Sequence, residues 1–419
     1  MSKINNYVTT ICNNAKLASS DIAKANLAQK NQVLHDVISL IDLKKSEIFQ
    51  ANQIDLQNAI KANIDSAKID RITLNDEKIQ SLIISLSEII KQPDPVNKII
   101  ENYNRPNNLN IQKISTPIGV LLAIYEARPN VTCDVSALSL KSGNSVILRS
   151  GSDCINSSKI IADIFQKALT KSKLNPDIIS FVDNNDYEVV NQLLKMNDFI
   201  DVVIPRGGKK LIKAVMQNSN IPMFNHLDGN CHTYVHQDAD LDKALKITVN
   251  AKMRRTSICG ATETLLVDKN IAYKFIPLIA SKFKELGCEI RGDSLACSID
   301  HSFIPATQQD YYTEFLDKII AIKIVDDIDE AIKHITEYGS SHTESIITEN
   351  KSASEKFLSE VNSAVVMHNA STQFADGYEF GLGAEVGIAT GKLHARGPVG
   401  LAQLTTYKYQ VRSEFAIRK

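Results

Sequence analysis

The chain has 419 residues, 43% of them hydrophobic and 23% charged, the make-up of a folded protein with room for two or three domains. Its 47 basic and 48 acidic residues leave a formal charge of −1, and no Lys/Arg block tracks a phosphate backbone, so nucleic acid is not an expected partner. No apolar run approaches the ~18 residues of a membrane span, and the opening MSKINNYVTT lacks the apolar core of a signal peptide, so a cytoplasmic location is expected.

Residues 5–92 read as helical: Val33, Leu34, Val37, Ile38, Leu40 and Ile41 recur at helical spacing, Leu82–Leu86 continues the theme, and QPDP stops it. Two extended pieces then flank Asn107-Asn108, a hairpin signal. From about residue 118 the pattern changes. IGVLLAIY, SVILR (145–149), IISFV (178–182) and DVVIP (201–205) are short continuous apolar runs, as strands buried on both faces require. Amphipathic stretches separate them, which predicts βαβ units and a parallel sheet covered by helices. A second series follows: HTYVH (232–236), a helix near 240–254, TETLLVD (262–268) and a helix near 271–286.

The seven cysteines are scattered, odd in number and without C-x-x-C, which argues for free thiols and against a disulfide framework or zinc ribbon. Cys259 differs from a packing cysteine because it sits in a polar stretch, RRTSICGATET. No G-x-G-x-x-G, Walker A or G-x-S-x-G motif is present at the usual places. Two features suit a nucleotide instead. One is the strand end Arg149-Ser150-Gly151-Ser152; the other is Gly207-Gly208, opening a helix whose free N–H groups favour an anion. Each also reads as an ordinary βα turn. Asn130, in EARPN, suits either a carbonyl-polarising donor or a helix cap. His226 and His232 flank a turn at Asp228-Gly229, and His342, His394 and Arg396 lie in loop-like surroundings. The histidines are dispersed along the chain, so no metal site is expected.

Taken in order, PIGVLLAIYEARPNVTCDVSALSLKSGN, SVILRSGS, IPRGGKKLI, HLDGNCHTYV, NAKMRRTSICGATETLLV, NASTQF and EFGLGAEVGIATGKLHARGPVGLAQLTTYKY resemble the γ-glutamyl phosphate reductase branch of the aldehyde dehydrogenase superfamily, over about residues 103–409. The resemblance implies an α/β fold of aldehyde dehydrogenase type: two parallel-sheet domains, cofactor and catalytic, plus a small β-hairpin oligomerisation arm. It places an NADPH-binding domain at 1–225 with the hairpin at about 103–117, a catalytic domain at 226–385, and a C-terminal return and oligomerisation strand at 386–419. The strand near 404–413 would pair with the hairpin and hold a homodimer or higher oligomer together.

The same resemblance implies that Cys259 is the nucleophile, with Asn130 and the Cys259 backbone N–H as oxyanion donors. Arg149, Ser150, Gly151, Ser152, Gly207, Gly208 and Glu314 would bind NADPH/NADP. Arg128, Arg206, His226, His342, His394 and Arg396 would bind a small-molecule substrate, γ-glutamyl phosphate, which a glutamate 5-kinase could hand over. Hydrolytic relatives keep a glutamate about 33 residues before the thiol to activate water; here that position is His226. A reductase must keep water from its thioester, so the replacement suits that chemistry. A coenzyme A-dependent acylating enzyme, a cysteine hydrolase and a catalytically silent scaffold are the alternatives.

Overall fold

The computed structural model describes residues 3–418, and its chain builds two compact units. The first takes the chain through Asn225 together with Gly381–Gly387 and the residues from Val399 onward; the second takes His226–Phe380 and Ile388–Pro398.

The first unit is centred on a four-stranded sheet in the order Ile179–Phe181, Ser145–Ser150, Val120–Tyr125, Val202–Arg206, with every pairing parallel. Val120–Tyr125 and Ser145–Ser150 are buried at every residue, which is why they read as unbroken apolar runs. The entry to the central strand is fixed by Gly119, which has φ +135° and would place a Cβ against the Asp201 carboxylate; that carboxylate accepts the Val120 N–H at 2.8 Å. Helices Lys3–Ile22, Leu27–Leu43, Lys45–Lys61, Ser66–Ile72 and Asp76–Lys91 form the N-terminal helical part. Val8, Cys12 and Ala15 of the first pack with Val120, Leu122 and Ile124 of the sheet. Helix Ile155–Lys171 has no side-chain cap of its own. The buried Asp55 serves instead, accepting from the Asn156 and Ser157 amides and from Ser157 Oγ, so a carboxylate meets the positive helix end.

A separate antiparallel sheet of three strands, Ile99–Asn104, Asn110–Pro117 and Thr405–Arg412, belongs to the same unit. The hairpin turns through Asn108 at φ 60°, as the Asn107-Asn108 signal predicts, and it starts earlier than the expected 103.

The second unit holds a seven-stranded parallel sheet in the order Ile304–Pro305, Glu289–Gly292, Ile319–Val325, Thr262–Asp268, Cys231–Val235, Thr343–Ile347, Val365–His368. Side chains of Thr262–Asp268 alternate between two cores: Leu265 and Val267 join Phe275, Ile279 and Phe283, while Leu266 joins Tyr234, Ile346 and Phe357. Helices Leu241–Met253, Lys269–Glu285, Ile328–Tyr338 and Lys351–Glu360 accompany the strands. Among the described residues, no helix is long and apolar enough to cross a membrane.

Candidate active site

In the second unit the loop carrying Cys259 runs from the end of helix Leu241–Met253 to the start of strand Thr262–Asp268. Three sets of contacts hold it. Gln373 accepts from Arg254 Nε at 2.9 Å and donates to Ala251 O at 2.8 Å. A chain of hydroxyls, Thr372–Thr262–Thr233, ties the turn Thr372–Phe374 to strands Thr262–Asp268 and Cys231–Val235 at 3.0 and 2.7 Å. Gly229 packs directly against the loop: a Cβ there would lie 2.1 Å from Cys259 O and 2.5 Å from its Cα. Only glycine allows that approach.

All seven cysteines are free thiols. Cys259 is half-buried, whereas Cys12, Cys133, Cys154, Cys231 and Cys288 are buried. Burial pushes the Cys231 thiol well above its ordinary value, so Cys231 stays protonated and donates to Cys259 O at 3.1 Å. Reactivity follows access and thiolate character, which separates the reachable Cys259 from these buried thiols.

His226 and His342 converge on Cys259, with one donor atom from each of the three within 4.8 Å of the others. The two rings meet edge-on, centroids 5.3 Å apart. His226 Nδ1 lies 2.7 Å from Ile388 O; a carbonyl only accepts, so Nδ1 carries a proton and Nε2 is the ring nitrogen not engaged by this contact. His342 is buried, with Nδ1 at 2.9 Å from Thr343 Oγ1 and 3.6 Å from Cys231 Sγ. Linear dispersal of the histidines therefore does not keep them apart in space. Glu314 Oε1 accepts the Gly229 N–H at 2.8 Å, which ties this expected cofactor residue to the glycine beneath the thiol. Of the other expected pair, Arg396 donates to Asn362 Oδ1 and Asn362 O, both at 2.7 Å, and His394 is exposed.

Close by, Lys252 and Glu263 form a fully buried ion pair. Burial, only partly offset by Lys252, raises the Glu263 carboxyl to about 7. Neither residue stood out in the sequence, because each lies in an ordinary helix or strand pattern.

In the first unit Asn130 is exposed in the first turn of helix Pro129–Lys141 and donates to Asp134 Oδ2 at 3.3 Å. Asn130 is not the cap of that helix; Arg128 holds the N-cap position, with Pro129 at the first helical position. Burial raises the Asp134 carboxyl to about 6, with Ser85, Asn130 and the charge of Arg206 pulling the other way. Arg206 ends strand Val202–Arg206 and leaves no room for a side chain at Gly387, whose Cβ would come within 2.9 Å of its Nη1.

Arg149 is buried, and burial lowers its pKa. Its Nη1 donates to Ser150 O at 2.7 Å and its Nη2 to Asn185 O at 3.2 Å. Arg149 Nε and Ser150 Oγ are buried without a hydrogen-bond partner among the described residues. Gly151 donates to Tyr125 O and would clash with Asp153 if it carried a Cβ, while Ser152 is exposed. Gly208 caps helix Lys209–Asn218 and faces open space, but its N–H already meets the Glu126 carboxylate at 3.4 Å. The same carboxylate lies 2.9 Å from where a Cβ on Gly207 would stand.

Comparison with known proteins adds a family context. The aldehyde dehydrogenase family model matches residues 4–301. The chain is 46% identical over 416 residues to a gamma-glutamyl phosphate reductase of Clostridium acetobutylicum, covering 99% of this chain and 100% of that protein. It is 47% identical over 405 residues to the Dictyoglomus turgidum protein of the same name, covering 97% and 98%. The crystal structure of gamma-glutamyl phosphate reductase from Thermotoga maritima superposes with a TM-score of 0.96 at 40% identity, covering 98% of this chain and 100% of that one.

Proposed function

Because the chain belongs to the aldehyde dehydrogenase family and, within it, to the gamma-glutamyl phosphate reductases, we propose that it reduces γ-glutamyl phosphate to glutamate 5-semialdehyde and phosphate, the second step of proline formation from glutamate. The observation that carries the mechanism is the half-buried Cys259 thiol with two imidazoles, His226 and His342, as its near neighbours.

In this reading the Cys259 thiolate attacks the acyl phosphate carbonyl, the C–O bond to phosphate breaks, and a thioester forms on Cys259. The Cys259 backbone N–H and the Asn130 amide hold the oxyanion of each tetrahedral species. His226 stands at the position where hydrolytic relatives carry a glutamate, so the carboxylate that activates water in those enzymes is missing from this position. Aldehyde dehydrogenases use a nicotinamide cofactor. The orphaned buried atoms Arg149 Nε and Ser150 Oγ are what a cofactor ribose phosphate would satisfy, and Arg149 is the proposed partner of the 2′-phosphate that distinguishes NADPH. Ser152, Gly151, Gly207, Gly208 and Glu314 are proposed to complete its binding. NADPH, when bound, supplies the hydride that takes the thioester to the aldehyde. Arg128, Arg206, His342, His394 and Arg396 are the proposed counter-groups for the phosphate and amino-acid ends of the substrate, with a glutamate 5-kinase as its source. The three-stranded arm is proposed to join two copies of the chain.

The reverse reaction tests this assignment. With glutamate 5-semialdehyde and NADP⁺, NADPH absorbance is expected to rise only when phosphate is present, and not at all in Cys259→Ala. Turnover without phosphate would make water the acceptor and refute the reductase assignment; turnover with coenzyme A in place of phosphate would shift it to an acylating enzyme. Asn130→Ala is expected to lose about 10²–10³ in kcat with the fold intact.

A further inference from the structure

We propose that His226, Cys259 and His342 form a binding site for one thiophilic divalent cation of the zinc class. The three residues come from separate parts of the second unit, yet their donor atoms lie within 4.8 Å of one another. A tetrahedral zinc site with Zn–S of about 2.3 Å and Zn–N of about 2.0 Å spaces its donors by about 3.5 Å. Side-chain adjustments of roughly an ångström therefore close the site around an ion. Two nitrogens and a sulfur, with no carboxylate in the cluster, select zinc, cobalt or cadmium over magnesium or calcium.

A second observation points the same way. Metal-binding imidazoles ordinarily donate their other ring N–H to a carbonyl or carboxylate, which fixes the tautomer. His226 does this already, with Nδ1 donating to Ile388 O at 2.7 Å, which leaves Nε2 as the nitrogen for an ion. The His342 ring is likewise oriented by Thr343 Oγ1 at 2.9 Å. Three protein ligands leave the fourth position to water, as in open zinc sites. On binding, the Cys259 S–H bond breaks, its proton goes to solvent and a metal–sulfur bond forms. The functional consequence rests on Cys259 being the nucleophile: a thiolate whose charge is shared with a metal ion is a poorer nucleophile toward an acyl phosphate, and the ion becomes a reversible inhibitor of the reaction.

The test uses the full-length reduced chain, stripped of metal with a chelator. Co²⁺ is expected to bind once per chain with a thiolate-to-cobalt charge-transfer band, which Zn²⁺ displaces and Cys259→Ser abolishes. Calorimetry with Zn²⁺ is expected to show affinity reduced by more than about 100-fold in His226→Ala and in His342→Ala, beyond what loss of a supporting contact costs. No band at saturating Co²⁺, or Zn²⁺ affinity unchanged in both histidine variants, overturns the proposal. Should the variants fail to fold, the native chain still decides: Zn²⁺ must protect Cys259 from iodoacetamide, read by mass spectrometry of its peptide, and no protection overturns the site. Reductase turnover of the stripped chain is measured separately. An inactive chain that gives the band refutes the reductase assignment alone, and an active chain without the band refutes the metal site alone.

Discussion

Gly229 and Cys259 illustrate how a single missing side chain sets the position of a nucleophile. Gly229→Ala would force a Cβ into the Cys259 backbone, 2.1 Å from its carbonyl oxygen. We expect a stability loss of about 1–3 kcal/mol, typical of overpacking, with a proportionately larger fall in kcat than in Tm, measured side by side on the purified variant. His334 makes a second, separate prediction. It is buried against His232, Tyr311 and Tyr338, and burial, helped by His232, lowers its pKa from 6.5 to about 2. The unfolded chain takes up a proton there below 6.5 that the fold refuses, so stability is held above 6.5 and lost as pH falls through that window. The His334→Gln variant should lose less stability between pH 6 and pH 4 than the parent, by up to about 1.4 kcal/mol per pH unit in urea titrations. Equal slopes would remove His334 from the account. Cys259 could be singled out from sequence because a thiol amid polar residues breaks the packing pattern. The company of His226 and His342 could not, since their separation along the chain carries no information about where the strands end.

At the scale of elements, the arm sheet makes the clearest demand. Thr405–Arg412 pairs along its full length with Asn110–Pro117, yet Tyr407, Tyr409 and Val411 are exposed to 50%, 54% and 54%. Apolar residues displayed together on a short sheet mark a contact surface. Tyr409→Lys with Val411→Lys is expected to lower the oligomer to a smaller species in light scattering while leaving the circular dichroism unchanged. The hairpin was readable because Asn107-Asn108 carries a local turn signal, whereas the C-terminal strand was expected only from the family resemblance. The later half of the second unit was harder to read. Thr343–Ile347 is wholly buried but opens with Thr343-Glu344-Ser345. Glu344 is tolerated there because His232 donates to its Oε2 from the neighbouring strand, through its N–H at 2.7 Å and its ring at 3.0 Å, and Ser363 Oγ donates to its Oε1 at 3.2 Å. A buried strand satisfied by a distant partner has no apolar run to announce it. Glu289–Gly292 and Val365–His368, at four residues each, are too short to show any period.

At the scale of the molecule, the first unit is assembled from three separated stretches of chain, whereas most of the second is one continuous stretch. The parallel sheets were anticipated by the apolar runs near 118–125, 145–149, 201–205 and 262–268; the interleaving near residues 381–399 was not, because GLGAEVGIATGKLHARGP has no periodicity that assigns it to either unit. Leu404 O accepts from the buried Asn144 side chain at 2.8 Å, and Thr405–Arg412 supplies one strand of the arm. Removing residues 399–412 should therefore cost the buried Asn144 amide one of its acceptors and leave Asn110–Pro117 with an open edge, giving a lower Tm and a tendency to aggregate on size-exclusion chromatography. That dependence also sets a timetable for the newborn polypeptide. While the ribosome is still making the stretch before residue 399, the arm strand waits with an unpaired edge, and in crowded polysomes that is the interval in which a chaperone would be needed to keep neighbouring nascent chains from joining edge to edge.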